Sequence, residues 1–311
     1  GYIRIKNFGE NTYPEMLIAL AKLSQEGFKN LCIDLRDNSG GYLSAAVSMA
    51  NEFLPDKKLI VYTQGRKSPR HDYLSDGKGS YQKIPLVVLI NEGSASSAEI
   101  FAGAMQDNDR ATIIGRRSFG KGLVQQDYEQ DLLTRYQHGE FFSQDSIKHT
   151  GPAYHTGLGR VVYGGGGITP DIFVPEDTLG MTSYFKEASM SGLILQYAFS
   201  YTDDNRLKLN NFKEMMDYLN KQNLVEQFAT YADKHGLQRR NLLIKKSHKL
   251  LERSLNGRII YNMLNEQAWT EYINQDDPVI RHTLEVFHNN AAFPKKPAAV
   301  AKKPLTKKKK K

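Results

Sequence analysis

The order of apolar runs, helical stripes and small-residue turns predicts an α/β protein with a mainly parallel sheet, followed by a helical carboxyl-terminal appendage. Three observations carry that expectation. Strand-like runs alternate with amphipathic helical stretches through the first half of the chain, the signature of strands joined by crossover helices. Leu86–Ile90 is a continuous apolar run, as expected of a strand covered on both faces. From Thr182 to about Asn289 the pattern turns helical throughout, and no internal repeat of solenoid period appears.

Taken in order, Tyr2–Ile5 reads as a strand and the stretch from about Pro14 to Glu26 as a helix. Thr12 and Glu15 fit a capping box, Met16, Leu17, Leu20 and Leu23 form one apolar stripe, and Gly27 stands where a helix stops. Leu31–Leu35 follows as a strand. After the Gly40–Gly41 turn, Leu43, Val47, Ala50 and Phe53 recur at helical spacing until Pro55. Leu59–Thr63 is a third strand, Gln64 to Lys83 a polar surface loop, and Ser96–Gln106 a helix leading to the strand Ala111–Gly115. In the second half, Phe212, Met215, Met216 and Leu219, then Leu224, Phe228 and Tyr231, mark helix faces.

The 311 residues suffice for one sizeable domain and an appendage. A formal charge of +8 suggests nucleic-acid binding, but without the nine lysines after Pro294 it falls to −1. The body of the chain is therefore not basic, and no nucleic-acid partner is expected. The Lys/Pro/Ala tail repels itself and has no apolar surface to bury, so it reads as disordered over 294–311. No apolar run reaches the roughly 20 residues of a membrane-spanning helix. The sequence opens at Gly1 directly on a strand pattern. Cys32, the single cysteine, forms no internal disulfide, which leaves an exported location neither required nor excluded.

Ser96 falls between a buried strand and a helix rich in small residues, in Asn91-Glu92-Gly93-Ser94-Ala95-Ser96-Ser97-Ala98-Glu99. Such a junction exposes a side chain at the end of a sheet, beside helix N–H groups able to stabilise an oxyanion. The spacing of Ser96 and Glu99 equally fits a capping box, so spacing alone leaves both roles open. No His–Asp arrangement offers itself as the base. Lys121, in the glycine-flanked turn Ser118-Phe119-Gly120-Lys121-Gly122, is the better candidate, because burial disfavours the ammonium form and yields a neutral amine. A phosphate-loop reading of that turn fails for want of a Ser or Thr after the lysine. In Asp37-Asn38-Ser39-Gly40-Gly41, consecutive glycines allow a backbone N–H to approach a substrate carbonyl, and an ordinary strand-to-helix turn explains them as well. No Cys or His cluster has metal-ligand spacing.

Together these segments resemble the carboxyl-terminal processing peptidases of family S41, most closely members from Bacteroides-like bacteria. The likeness runs from Tyr2 to about Pro175 through Asp34–Gly41, Gly93–Ile100, Ser118–Gly122 and Val162–Asp171. It implies a ClpP/crotonase-like core over 1–178, beyond which the helical pattern assigns 179–293 to a separate helical region. It further implies that Ser96 is the nucleophile, Lys121 the general base and Gln125 the group that orients the lysine, with the N–H groups of Gly41 and Ser97 as oxyanion hole. Protein or peptide substrates, cleavage near carboxyl termini by way of an acyl-enzyme with no cofactor, and a periplasmic or cell-envelope location are implied with it. The helical region is a candidate for self-association.

Two departures from the family pattern stand out. The peptide-binding PDZ module and signal sequence that usually lie upstream are not in this chain. After Gln125-Gln126, where the family continues with strands and a Tyr-x-x-Pro-x-Gly-Arg type segment, the sequence passes to Asp127-Tyr128-Glu129-Gln130. This second departure leaves an inactive peptide-binding or scaffold homologue as the alternative function.

Overall fold

The computed structural model describes residues 1–120, 128–149, 151–206 and 211–296. They fall into two compact units. The first comprises Gly1–Pro175 with the chain from His282 onward, and the second Glu176–Arg281. The first boundary therefore lies at Pro175 rather than at 178, and the segment after His282 groups with the first unit instead of continuing the helical region to 293. The reason lies in that segment's partners: the Thr112 hydroxyl donates to the carbonyls of Ala291 and Ala292, and the Arg110 guanidinium sits over the Phe293 ring. The expected disordered tail lies, but for its first three residues, outside the described residues.

The first unit is built on five strands in the order β1 (Tyr2–Arg4), β2 (Leu31–Asp34), β5 (Leu86–Ile90), β6 (Thr112–Gly115) and β9 (Ile172–Phe173). Every pairing among them is parallel, so each needs a crossover connection, which α1 (Thr12–Gln25), α2 (Leu43–Asn51) and α3 (Ser97–Asp107) supply between the first four strands. β2, β5 and β6 are buried along their whole length, which explains the unbroken apolar run of β5 and the mainly apolar sequence of β2 and β6, whose polar exceptions Asp34 and Thr112 are hydrogen-bonded. Met16, Leu20, Ala46, Met49, Phe53 and Phe101 pack onto them, each fully buried aliphatic side chain contributing about 2 kcal/mol.

Two local expectations change. Thr12 lies inside α1 instead of capping it; its hydroxyl accepts the Gly9 N–H and donates to the Asn7 carbonyl, closing the preceding turn. The stretch expected as a loop after Thr63 forms an antiparallel hairpin, β3 (Leu59–Gly65) with β4 (Ser68–Leu74). Its residues are mostly exposed, so the apolar periodicity that betrays a half-buried strand is missing. A second hairpin pairs β7 (Ala153–His155) with β8 (Val161–Tyr163), and α4 (Tyr128–Gln137) lies between β6 and β7 in the chain.

The second unit is helical. α7 (Phe212–Leu219) buries Met215 and Leu219, and α8 (Leu224–Lys234) buries Phe228, as their spacing predicts. α6 (Leu193–Asp204) packs on α10 (His248–Met263), whose Leu251, Leu255, Ile259 and Ile260 reach its core. No described helix is long and apolar enough to cross a membrane.

At the end of β2, Asp34 is fully buried and accepts from the Arg36 backbone N–H, the Arg36 guanidinium and the Tyr2 hydroxyl. Burial raises its pKa, but these donors outweigh it and hold the carboxyl below its ordinary value. A depressed carboxyl stabilises the fold above its unfolded pKa, near 3.9, and loses that contribution as pH falls through the folded value. Asp34→Asn should therefore lose roughly 3 kcal/mol at neutral pH and flatten the acid limb of the stability profile. Urea unfolding at pH 7 and at pH 3 checks this: an unchanged gap between the two would show that Asp34 is not a source of the acid sensitivity.

Candidate active site

Topology gathers the three sequence motifs. Asp34 pairs in register with Leu89, and Ile90 with Gly115, so the carboxyl ends of the adjacent parallel strands β2, β5 and β6 point the same way. From those ends spring the glycine turn, the Ser96 turn and the segment leading into Lys121. The crevice outside the carboxyl ends of parallel strands is where α/β sheets place ligands.

Ser96 is the residue before α3 and has φ 55° and ψ −116°, a conformation that costs a side-chain-bearing residue on the order of 1–3 kcal/mol. Its surroundings impose that geometry. The Ser96 N–H donates to Glu99 Oε2 at 3.0 Å, and the Ala95 N–H donates to the Asn38 carbonyl at 2.9 Å. Ser94, fully buried, donates through its hydroxyl to the Leu35 carbonyl at 2.8 Å. Asn91 clasps Asp37 from both sides, accepting its N–H at 2.8 Å and donating to its carboxylate at 2.8 Å. The result is a partly exposed hydroxyl-bearing residue on a tight turn at a helix N-terminus, where N–H groups and the helix dipole favour developing negative charge. The carboxylate half of the expected capping box is made, so the cap and the exposed turn coexist.

The glycine turn lies against this residue. A Cβ on Gly40 would stand 2.7 Å from the Ser96 Cβ and 2.8 Å from the Ala95 carbonyl; one on Gly41 would stand 2.3 Å from the Phe8 carbonyl oxygen. With φ values of 99° and 147°, both positions favour glycine on backbone grounds as well. The Ser97 hydroxyl donates to the Gly41 carbonyl at 2.8 Å, fixing which way the Gly41 peptide faces. Phe8 brackets the turn, its N–H on the Gly40 carbonyl and its own carbonyl accepting the Tyr42 N–H. Ser96, Ser97 and Gly41 are thus brought together.

The segment entering Lys121 docks on the same helix. Glu99 Oε1 accepts from the Ser118 hydroxyl at 2.6 Å and from the Gly120 N–H at 2.7 Å. The Phe119 N–H donates to the Ser94 carbonyl at 2.9 Å. Ser118 also pairs with Ile168, accepting its N–H on the hydroxyl at 2.6 Å and donating its own N–H to the Ile168 carbonyl at 3.0 Å. That pairing explains why the glycine-rich Val162–Asp171 segment belongs with the others. Lys121 and Gln125 themselves lie outside the described residues.

In the sequence Glu99 shows only the spacing of a cap, whereas in the structure its carboxylate joins the Ser96 turn to the Ser118–Gly120 segment. Asn38 and Asn91 leave one trace in the sequence: each stands beside a turn, a common place for asparagine. Among the described residues no cluster of His, Cys, Asp or Glu could hold a metal ion.

Residues 1–174 match the model of peptidase family S41, and residues 184–265 match a family of unknown function (DUF8443). A carboxyl-terminal-processing protease of Synechocystis is 44% identical over 129 residues, which cover 42% of this chain and 30% of the relative. A carboxy-terminal-processing protease of Bartonella bacilliformis is 39% identical over 205 residues, covering 62% and 44%. A probable CtpA-like serine protease of Staphylococcus haemolyticus is 30% identical over 286 residues, covering 90% and 52%. The chain thus spans about half the length of these relatives or less. Among solved structures, a photosystem II D1 C-terminal processing protease aligns with a TM-score of 0.41 and 28% identity, covering 58% of this chain and 43% of that one. With a family model matched across more than half of its length, this chain belongs to peptidase family S41.

Proposed function

We propose that the chain is the catalytic core of a serine endopeptidase that hydrolyses peptide bonds near protein carboxyl termini with a Ser–Lys dyad. The observation that carries the proposal is Ser96 at φ 55° on the N-terminus of α3, with Gly40 pressed against it. A strained, reachable serine at a helix N-terminus beside a glycine turn is the arrangement an acyl-transfer nucleophile requires.

In this reading Lys121, as the neutral amine, takes the Ser96 proton while Oγ attacks the peptide carbonyl. The Gly41 and Ser97 N–H groups receive the oxyanion. The protonated lysine passes its proton to the leaving amine, an acyl-enzyme forms, and water attacks it with Lys121 again as base. Gln125 orients the amine. Gly41 suits its role because the Gly40 carbonyl, which shares a peptide plane with the Gly41 N–H, is held by the Phe8 N–H, so the Gly41 N–H points the opposite way in a fixed direction. Protein or peptide substrates and a periplasmic or cell-envelope location follow from the family resemblance, self-association follows from the helical unit, and all three belong to the same proposal.

The direct test is covalent. A serine-directed acylating probe added to the purified protein should modify one residue, mapped by mass spectrometry to Ser96, and block digestion of an unfolded protein. A folded chain that binds peptides yet is never acylated at Ser96 would make it a binding or scaffold homologue instead.

A further inference from the structure

The backbone that enters Lys121 is gripped from two sides. On one side stands Glu99, described above. On the other, the Arg135 guanidinium of α4 gathers three consecutive carbonyls: Nη2 donates to Arg117 at 3.0 Å, and Nη1 to Ser118 at 3.1 Å and Phe119 at 3.3 Å. Its Nε donates to Glu140 at 3.2 Å, and Glu140 also accepts from the Arg117 guanidinium at 3.0 Å. The side chains of Arg135 and Glu140 are only 7% and 6% exposed.

Burying two guanidinium groups around one carboxylate is costly, and an apolar side chain of similar volume often does as well or better for stability. Stability alone therefore gives a weak reason for an arginine here. Its geometric effect is specific: a planar fork with several fixed donors holds the peptide planes of 117–119 in one orientation, which a compact ammonium cannot do. Arg135 also comes from the stretch where the family resemblance implies strands and the structure has α4 instead.

Resting on the reading of Lys121 as the base, we infer that Arg135, held by Glu140, is a positioning residue: it fixes the carbonyls of 117–119, the backbone that leads to the base. Its effect reaches the reaction only through that backbone.

The test compares Arg135→Lys and Arg135→Met with the parent protein, measuring thermal unfolding, kcat and KM on a peptide substrate, and the rate of Ser96 acylation by the probe. The expected result is a folded protein whose kcat falls roughly 10- to 100-fold, the scale of a small misplacement of a reacting group, with KM changed by less than about twofold. Acylation should slow in step. If Arg135→Met does not fold, Glu140→Gln removes the charge that holds the guanidinium, with little change of volume, and carries the same expectation. Folded variants with parental kcat, or an activity loss that merely follows the unfolded fraction, would overturn the inference. Lys121→Ala, run in parallel, separates the two claims: its retaining activity removes the base assignment, whereas its inactivity beside fully active Arg135 variants removes the positioning role alone.

Discussion

Ser96→Ala and Lys121→Ala are each expected to reduce kcat for peptide hydrolysis by at least about 10⁴-fold, because nucleophile and base act as one unit and losing either leaves only binding and the oxyanion donors. The two substitutions should also not add: the double variant should be no slower than the worse single one. At Ser96 a stability effect accompanies the loss. Alanine keeps a Cβ at φ 55° and therefore keeps the backbone strain, whereas glycine releases it. Ser96→Gly should consequently be as inactive as Ser96→Ala yet gain in folded stability relative to it, by about 1 kcal/mol. Steady-state digestion of an unfolded protein and paired thermal melts measure both quantities. A glycine variant less stable than the alanine one would mean that the turn is not strained, and residual digestion within tenfold of the parent in either single variant would remove the dyad.

Glu99→Ala carries the next largest effect. It deletes an acceptor for three donors at once: the Ser96 N–H, the Ser118 hydroxyl and the Gly120 N–H. Ser118 is fully buried, so its hydroxyl has no ready access to water as a replacement partner. Stability should fall by about 3 kcal/mol and kcat by on the order of 100-fold, since both the nucleophile turn and the approach to the base lose their common tie. Glu99→Gln should fall between parent and alanine: its amide retains one acceptor oxygen, but its NH₂ must face an N–H or O–H donor on the other side. Denaturant titration with kinetics at several peptide concentrations distinguishes the cases. A Glu99→Ala protein with parental kcat would show that the carboxylate is only a helix cap.

How far the site was legible follows from the chemistry of each residue. Ser96, Gly40 and Gly41 stand in short segments whose residue types already restrict the backbone, so local sequence singled them out. Gly40 and Gly41 declared themselves because another residue there would collide with Ser96 or Phe8. Glu99 was visible only as the i+3 partner of Ser96, because its links to Ser118 and Gly120 span 19 and 21 residues. Arg135 carried no signal at all: an arginine in a polar helical stretch reads as solvated, and its burial depends on three carbonyls and Glu140 folding around it. The β3–β4 hairpin escaped for the opposite reason, since an exposed strand has no apolar face to mark it.

The residues in their linear order dictate the local half of this protein. Buried strands are mainly apolar, helices repeat at 3.6, and close-packed turns favour glycine, so element types and the Ser96 turn follow from short-range chemistry. Which turns face one another is settled elsewhere, by the parallel register that aligns the ends of β2, β5 and β6 and by buried polar groups that find partners dozens of residues away. A buried hydroxyl, carboxylate or guanidinium must be satisfied wherever the fold permits, and sequence spacing contains no record of where that is.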